Sequence, residues 1–462
     1  METLSLGSLC TLVGGRLVGG DPETPVRRVT TNSRMVAPGD LFVCLVGDRF
    51  DGHAYAEEAM AAGAAAVLVH ENVGRITPAV AVDDTLAAIG RLGHALRVRS
   101  RKQGDPLVVA ITGTNGKTGT KDLAAAALAA DRPTVASRHS FNNSVGVPIT
   151  LLDLEPDTRA VVVEVGTNAP GEIAHLGQLV EPEVAVITNV NAGHLEGLRD
   201  LDGVREEKGS LLDTLTGRQI AVLNRDDPSF ARLAERAPGE VVSFGLNPAA
   251  DVSALDLRCM ANGTHFRVND GRTVSLAHLG KHSVLNALAA LAVARVAGVD
   301  PVVAAEALAV VPPPPGRLQL RTVGRLTVID DSYNANPGSL AAATETLGQL
   351  ALGGRRVFVV GDMLELGGQA AGLHRQAGRG LASAAPELVV AVGRFAEDLV
   401  AGAVEGGLAA DVCFACPDRE LAVEVLEDRL VPGDVVLVKG SRGMALEELV
   451  HDLDNEATAT LQ

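Results

Sequence analysis

Tryptophan is absent, and aromatic residues make up only 2% of the 462-residue chain. That excludes a platform of stacked aromatics of the kind that grips single strands or sugar rings. It also leaves the cores to be built from Ala, Val and Leu. Positive charge is scarce as well, with 40 Lys and Arg against 57 Asp and Glu, a formal net charge of −17. Phosphate backbones and anionic bilayers both select basic surfaces. No nucleic-acid partner and no stable membrane binding are therefore expected. Long apolar runs are missing: Ala61–Val69 and Leu123–Ala130 are far too short to span a bilayer. Met1–Gly20 lacks the basic start and apolar stretch of a secretory signal. Five cysteines, an odd number in a long chain, make no disulfide framework. The expectation is a reduced, cytoplasmic, monomeric protein. Cys413-Phe-Ala-Cys416 has metal or redox spacing, but no second such pair exists, and Pro417-Asp418 reads as the start of the next helix. Two ordinary strand-end thiols are the better reading.

What is present is an α/β pattern. Hydrophobic residues make up 47% and charged residues 21%, enough to bury real cores. Short β-branched runs alternate with Ala/Leu-rich helical stretches, as in parallel sheets with crossover helices. Strands are expected at 108–112, 160–165, 184–188, 219–223, 327–329, 356–360, 388–392 and 435–438. Helices are expected at 118–130 and 285–297. Two junctions divide the chain: the polar stretch from Arg97 to Pro106, and the stiff connector Pro312-Pro-Pro-Pro315-Gly316. Three domains follow, 1–100, 107–312 and 316–462. All three read as α/β.

The strongest chemical signal is Ala110-Ile-Thr-Gly113-Thr114-Asn115-Gly116-Lys117-Thr118. A buried strand runs into a glycine turn, and Lys-Thr opens a helix. Backbone N–H groups of such a turn, with the helix N-terminus, form an anion nest for a triphosphate. Lys117 reaches the β/γ-phosphates and the Thr118 hydroxyl sits on Mg²⁺. Ile111 stands where the common spacing has Gly, so the loop is a shortened variant. A dinucleotide fingerprint traced through Gly113, Gly116 and Gly119 has the wrong glycine spacing. Glu164 ends the strand that starts at Ala160, and His194 follows the strand near 184–188. In a doubly wound sheet both positions face the ligand crevice, which makes Glu164 and His194 candidate metal ligands. A solvated Glu and a structural His are the bland alternatives. Asn224-Arg-Asp-Asp227 superficially resembles a guanine-reading segment, but Arg replaces the stacking Lys and no switch segment follows. It reads as a turn before a helix.

Together these residues resemble the Mur ligases, the ATP-dependent amino-acid ligases of peptidoglycan precursor synthesis. Thr112–Thr118 has their shortened phosphate loop, and Phe141-Asn142-Asn143-Ser-Val-Gly146-Val-Pro148 is similar to their N-N-x-x-G-x-P segment. Gly280-Lys-His282-Ser283-Val-Leu-Asn286-Ala is similar to their G-x-H-N-x-x-N-A, with Ser283 replacing the first Asn. Asp330-Asp331-Ser-Tyr333-Asn334-Ala-Asn336-Pro, Gly361-Asp362-Met-Leu-Glu365, Val438-Lys439-Gly-Ser441-Arg442 and Asp51-Gly-His53 resemble the branch that handles D-alanyl-D-alanine. No Asp-Asn-Pro-Arg-like segment of the lysine- or diaminopimelate-adding branches is present.

The resemblance implies a small α/β N-terminal domain, a central P-loop-type ATP-binding parallel-sheet domain and a C-terminal Rossmann-like α/β domain, in an ATP- and Mg²⁺-dependent ligase that joins UDP-N-acetylmuramoyl-tripeptide to D-alanyl-D-alanine through an acyl phosphate. It implies metal ligation by Thr118, Glu164 and His194, and catalytic roles for Lys117, His194 and Lys208, the last carbamylated. Nucleotide contacts are implied for Gly113 to Thr118, Asn286, Arg317 and Asp331. Substrate contacts are implied for Ser33, Arg34, Asn142, Asn143, Asn334 and Asn336. Another Mur-type ligase, or a nucleotide switch without ligase activity, is the alternative. Because the ATP groups lie on both sides of Pro312–Pro315, the free protein is expected to be open, with Asp331 away from the phosphate loop.

Overall fold

The computed structural model describes residues 1–47, 50–70 and 76–459, and three sheets organise them. The N-terminal sheet has five strands in the order Arg16–Val18, Ala79–Val82, Ala66–His70, Asp40–Val43 and Arg28–Thr30, parallel except at the first pairing. The central sheet has nine strands. Six parallel pairings run from Thr134–Ala136 through Ala160–Glu164, Leu107–Thr112, Val184–Ile187, Ile220–Asn224 and Glu240–Gly245 to Val252–Met260. Gly263–Val268 and Thr273–Leu276 extend it as an antiparallel edge. The C-terminal sheet has six strands, with Leu326–Asp331, Val435–Lys439 and Arg356–Gly361 at its middle, parallel except for the hairpin Gln319–Val323/Leu326–Asp331.

The middle strands of the central sheet are apolar on both sides because both faces are covered. Val109, Ile111, Val162 and Val186 pack under the helices Lys117–Ala129 and Lys281–Val296. Val108, Ala110, Val161 and Val163 face the opposite layer with Ile173 and Leu176. That second cluster continues into the C-terminal domain through Leu318, Ile329, Ala335 and Leu340, so the two domains share one apolar seam.

Two junction features differ in kind. Residues 312–314 form an extended connector with no helix or strand, as a proline run dictates. Residues 97–103, expected within a junction, instead complete the helix Thr85–Gln103. Arg97 is fully buried there and donates to the carbonyls of Val180 and Glu181 and to Glu183, which fastens the N-terminal domain's last helix to the central domain. A charge that reads as solvated linker is a buried cap of another helix's end. No helix among the described residues is long and apolar enough to cross a membrane.

Candidate active site

The phosphate loop is built by conflict-free local geometry. The strand Leu107–Thr112 ends, and Gly113 turns the chain at φ 146° against the Thr188 hydroxyl, where any Cβ would overlap it. Gly116, at φ 82°, has Asn286 where its Cβ would be. Only glycine suits these two positions. Asn115 N–H donates to Asn189 Oδ1 at 3.0 Å, and Thr114 N–H to the Asn189 carbonyl at 3.0 Å, which fixes the loop on the next strand's end. Lys117 opens the helix and folds its ammonium onto the carbonyls of Gly113 (2.8 Å) and Thr114 (3.3 Å). Burial lowers the Lys117 pKa, with Glu164 opposing the shift. A phosphate is a stronger acceptor for that ammonium than two neutral carbonyls.

Glu164, 1% exposed, accepts from Asn142 Nδ2 at 2.8 Å through Oε1, while Oε2 is buried without a partner. A buried carboxylate oxygen left unpaired is costly unless a cation or donor completes it. The residues therefore fit a divalent cation: an orphaned carboxylate oxygen, the Thr118 hydroxyl and an imidazole all line one cavity. Among the described residues no three His, Cys, Asp or Glu side chains converge as a cage. A single carboxylate beside a hydroxyl and an imidazole is a donor set of the kind Mg²⁺ takes, its shell being completed by phosphates and water. His194 caps the short helix Leu195–Leu198 at φ 55°, and its Nδ1 lies 2.7 Å from Glu365 Oε2 of the C-terminal domain. This pairing holds the Glu365 carboxyl below its usual range.

The C-terminal domain closes the cavity. Arg317 stacks its guanidinium 4.4 Å over the Tyr333 ring and donates to Thr118 Oγ1 at 3.2 Å. Tyr333 donates to Ser140 Oγ at 2.9 Å. Asn336 caps the helix Pro337–Gln349 and exchanges amide hydrogen bonds with Asn115 at 2.7 and 3.3 Å. The domains are thus closed, with Asp331 lining the same cavity as Lys117, where the spread of the ATP groups over both sides of Pro312–Pro315 predicted an open free protein with Asp331 away from the phosphate loop. The shared apolar seam and these polar bridges are the physical reason. Asp331 is held by Lys439, Nζ to Oδ2 at 2.6 Å, and accepts from Leu318 N–H at 3.2 Å. Burial raises the Asp331 pKa, with Lys439 opposing it. The cavity between the domains is about 510 Å³, within the range of small-molecule sites.

Comparison with known proteins settles the family. Residues 25–95 match the Mur ligase family catalytic domain, 111–294 the Mur ligase middle domain, and 316–442 the Mur ligase glutamate ligase domain. The UDP-N-acetylmuramoyl-tripeptide–D-alanyl-D-alanine ligase of Escherichia coli K12 is 35% identical, covering 99% of this chain and 100% of that one. The chain belongs to the Mur ligase family. Among solved structures, MurF from Acinetobacter baumannii aligns with TM-score 0.90 at 31% identity, over 98% of this chain and 99% of that one. The MurF ligase of Thermotoga maritima in complex with ADP aligns with TM-score 0.78 at 27% identity, over 94% and 99%. This Mur ligase is an ATP-dependent ligase.

The cavity of the Mur ligase gathers Thr114 to Thr118, Asn142, Asn143, Glu164, His194, Asn286, Arg317, Asp331, Asn334 and Asn336 from stretches spread over the central and C-terminal domains. Ser33 and Arg34 do not join them; they lie on a short turn of the N-terminal domain, capped by Asn32. Lys208 is 1% exposed and absent from the cavity wall, with its amine held well below the lysine range by burial and then by Lys117. Several side chains expected to face substrate are already engaged: Asn142 by Glu164, Asn143 by the N–H groups of Val145 and Gly146, and Asn336 by Asn115. Asn224 and Asp227 staple strand-end loops by bonding Thr188, Val190 and Ser229, as a structural turn should. Cys413 and Cys416 point into cores on opposite faces of their strand, so they form no common site. Sequence reasoning missed Lys439, Ser140 and Glu365 as site residues. Lys439 carried the same signal as Glu164, a charge closing a buried apolar strand; Ser140 carried none.

Proposed function

We infer that this Mur ligase joins D-alanyl-D-alanine to UDP-N-acetylmuramoyl-tripeptide, with ATP converted to ADP and phosphate. The observation that carries the reading is the closed cavity, in which the phosphate loop of one domain meets Arg317, Asp331 and Asn336 of the other. It is joined to full-length similarity with ligases named for that reaction.

The course is an in-line phosphoryl transfer followed by acyl transfer. The tripeptide's terminal carboxylate attacks the γ-phosphorus, the bond to the β-phosphate oxygen breaks, and an acyl phosphate forms. The free amine of D-alanyl-D-alanine attacks its carbonyl carbon, phosphate leaves, and the amine's proton passes to solvent or phosphate. The Gly113–Thr118 turn cradles the phosphates, and Lys117 exchanges its two carbonyls for phosphate oxygens. Arg317 sits on the Thr118 hydroxyl and so reaches the same phosphates. Asp331, positioned by Lys439, takes the ribose, and Asn286 meets the base. Thr118, Glu164 and His194 would hold Mg²⁺, which supplies charge neutralisation for phosphoryl transfer. Burial, and then Lys117, holds the Lys208 amine well below the ordinary lysine range, which favours the form that adds CO₂ to become a carbamate. Asn334 addresses the incoming dipeptide, while Ser33 and Arg34 hold the uridine nucleotide far from the chemistry. Asn142 acts by orienting Glu164. The enzyme works as a cytoplasmic monomer.

Purified protein with ATP, Mg²⁺, UDP-muramoyl-tripeptide and D-alanyl-D-alanine should release phosphate only when all are present. Amine-independent ADP formation, or equal use of lysine or diaminopimelate as the amine with a dipeptide acceptor, would overturn this reading.

A further inference from the structure

The His194–Glu365 contact is not explained by the stability of either domain alone. His194 belongs to the central domain and Glu365 to the loop after the C-terminal strand Arg356–Gly361. Both residues sit at left-handed φ, 55° and 63°, a sparsely populated region for side chains with a Cβ. The loop is pinned independently of the carboxylate, because Glu196 N–H donates to the Glu365 carbonyl at 3.1 Å. The side chain is therefore free to serve another purpose, and it is aimed at His194 Nδ1, 2.7 Å away. That nitrogen is buried and makes no hydrogen bond as the ring stands, so a small turn of the imidazole is what brings an Nδ1–H onto the carboxylate beside it. A carboxylate on one ring nitrogen fixes the proton there, sets the ring's orientation and leaves the other nitrogen's lone pair for a cation.

We propose that Glu365 is a positioning residue: from the C-terminal domain it offers the acceptor that His194 Nδ1–H takes up when the cation binds, and thereby presents His194 Nε2 to the nucleotide-bound cation. The inference rests on reading this cavity as a metal–nucleotide site. Because the carboxylate arrives only with the C-terminal domain, closure and cation binding are linked. Each strengthens the other by the same factor. The domain that brings the amine thus also completes the cation site.

The test uses the full chain with ADP and Mn²⁺ as a spectroscopic probe. In the parent, pulsed EPR should detect nitrogen coupling from His194 to bound Mn²⁺, absent in His194→Gln. Glu365→Ala should weaken Mn²⁺ binding to the protein–ADP complex by about tenfold or more and blur that coupling. Glu365→Gln keeps the loop and an acceptor for Nδ1–H, so it should fall between parent and Ala; it also carries the test if the Ala variant is unstable. ADP affinity in EDTA should move less than twofold in both. Mn²⁺ affinity within twofold of the parent in both variants, or equal losses with and without metal, would overturn the proposal, the latter showing that Glu365 merely props the domains. Parent turnover with the three substrates checks the ligase reading separately.

Discussion

Lys439→Met tests how the Mur ligase holds its C-terminal half of the site. Lys439 and Asp331 are 2% and 7% exposed, and their charged atoms are 2.6 Å apart. Removing one partner of a buried pair typically costs about 3–5 kcal/mol, because the other charge is stranded. The stranded Asp331 has an escape, which is to take a proton. From an ordinary carboxyl value of 3.8, neutralising it at pH 7 costs about 4 kcal/mol at 1.36 kcal/mol per pH unit. Protonation therefore caps the electrostatic penalty near that figure. At pH 5 the same step costs only about 1.6 kcal/mol, so the variant should recover more than half of its loss. The sign follows from a folded pKa raised above the unfolded one: the penalty is absent below the unfolded value and grows as pH rises toward the folded value. In the parent Lys439 opposes the rise, so the slope is shallower. For a domain of this size roughly 2–4 °C accompany each kcal/mol. The C-terminal transition should then fall by about 8–16 °C at pH 7 and about 3–6 °C at pH 5, read by calorimetry. Asp331→Asn added to Lys439→Met should restore most of the loss. A single-variant loss under 3 °C at pH 7, a loss that does not shrink at pH 5, or no recovery in the double variant would refute the reasoning.

Lys117→Ala should leave the fold intact by circular dichroism and cost on the order of 10³-fold in turnover, since a phosphoryl-transfer clamp is lost; a variant within tenfold of the parent sinks the assignment. Asn336→Ala should raise the ATP requirement, because its amide is bonded to Asn115 of the phosphate loop, whereas Asn334→Ala should raise mainly the dipeptide requirement; the opposite split in KM values would exchange their roles. His282, pushed down to about 4 by burial and then by Lys439, should stay neutral above pH 5 by NMR. Its folded value lies below its unfolded value, so it contributes stability lost as pH falls from about 6.5 to 4, by up to about 3 kcal/mol; a His282→Gln variant with the parent's slope in that window would contradict this.

The strands that carry chemistry were legible because they are buried on both faces and end in a polar residue. Leu388–Val392 was read to the residue, and the strands ending in Thr112, Glu164 and Asp331 within one or two. The antiparallel edge 252–276 was not read. Its alternation of apolar and polar residues is interrupted by a register shift between Leu255 and Arg258, which breaks the period-2 signal. Arg97–Gln103 was misread because seven residues rich in charge look like linker until the partner that buries Arg97 is known.

The sequence by itself determined the phosphate loop, the strand-end carboxylate and histidine, and the stiff proline connector, since each depends on neighbours within a few residues. Glycine at 113 and 116 and the helix opening at Lys117 are local necessities of a turn that wraps an anion. Only the tertiary structure decided which side chains were already spoken for. Asn336 is more than two hundred positions from Asn115, Glu365 faces His194 across a domain boundary, and Lys439 reaches Asp331 through a neighbouring strand. Periodicity and turn chemistry report what a residue does to its own backbone. Pairing across domains is fixed by how the apolar seam from Val108 to Leu340 closes, and that seam is a property of the packed whole.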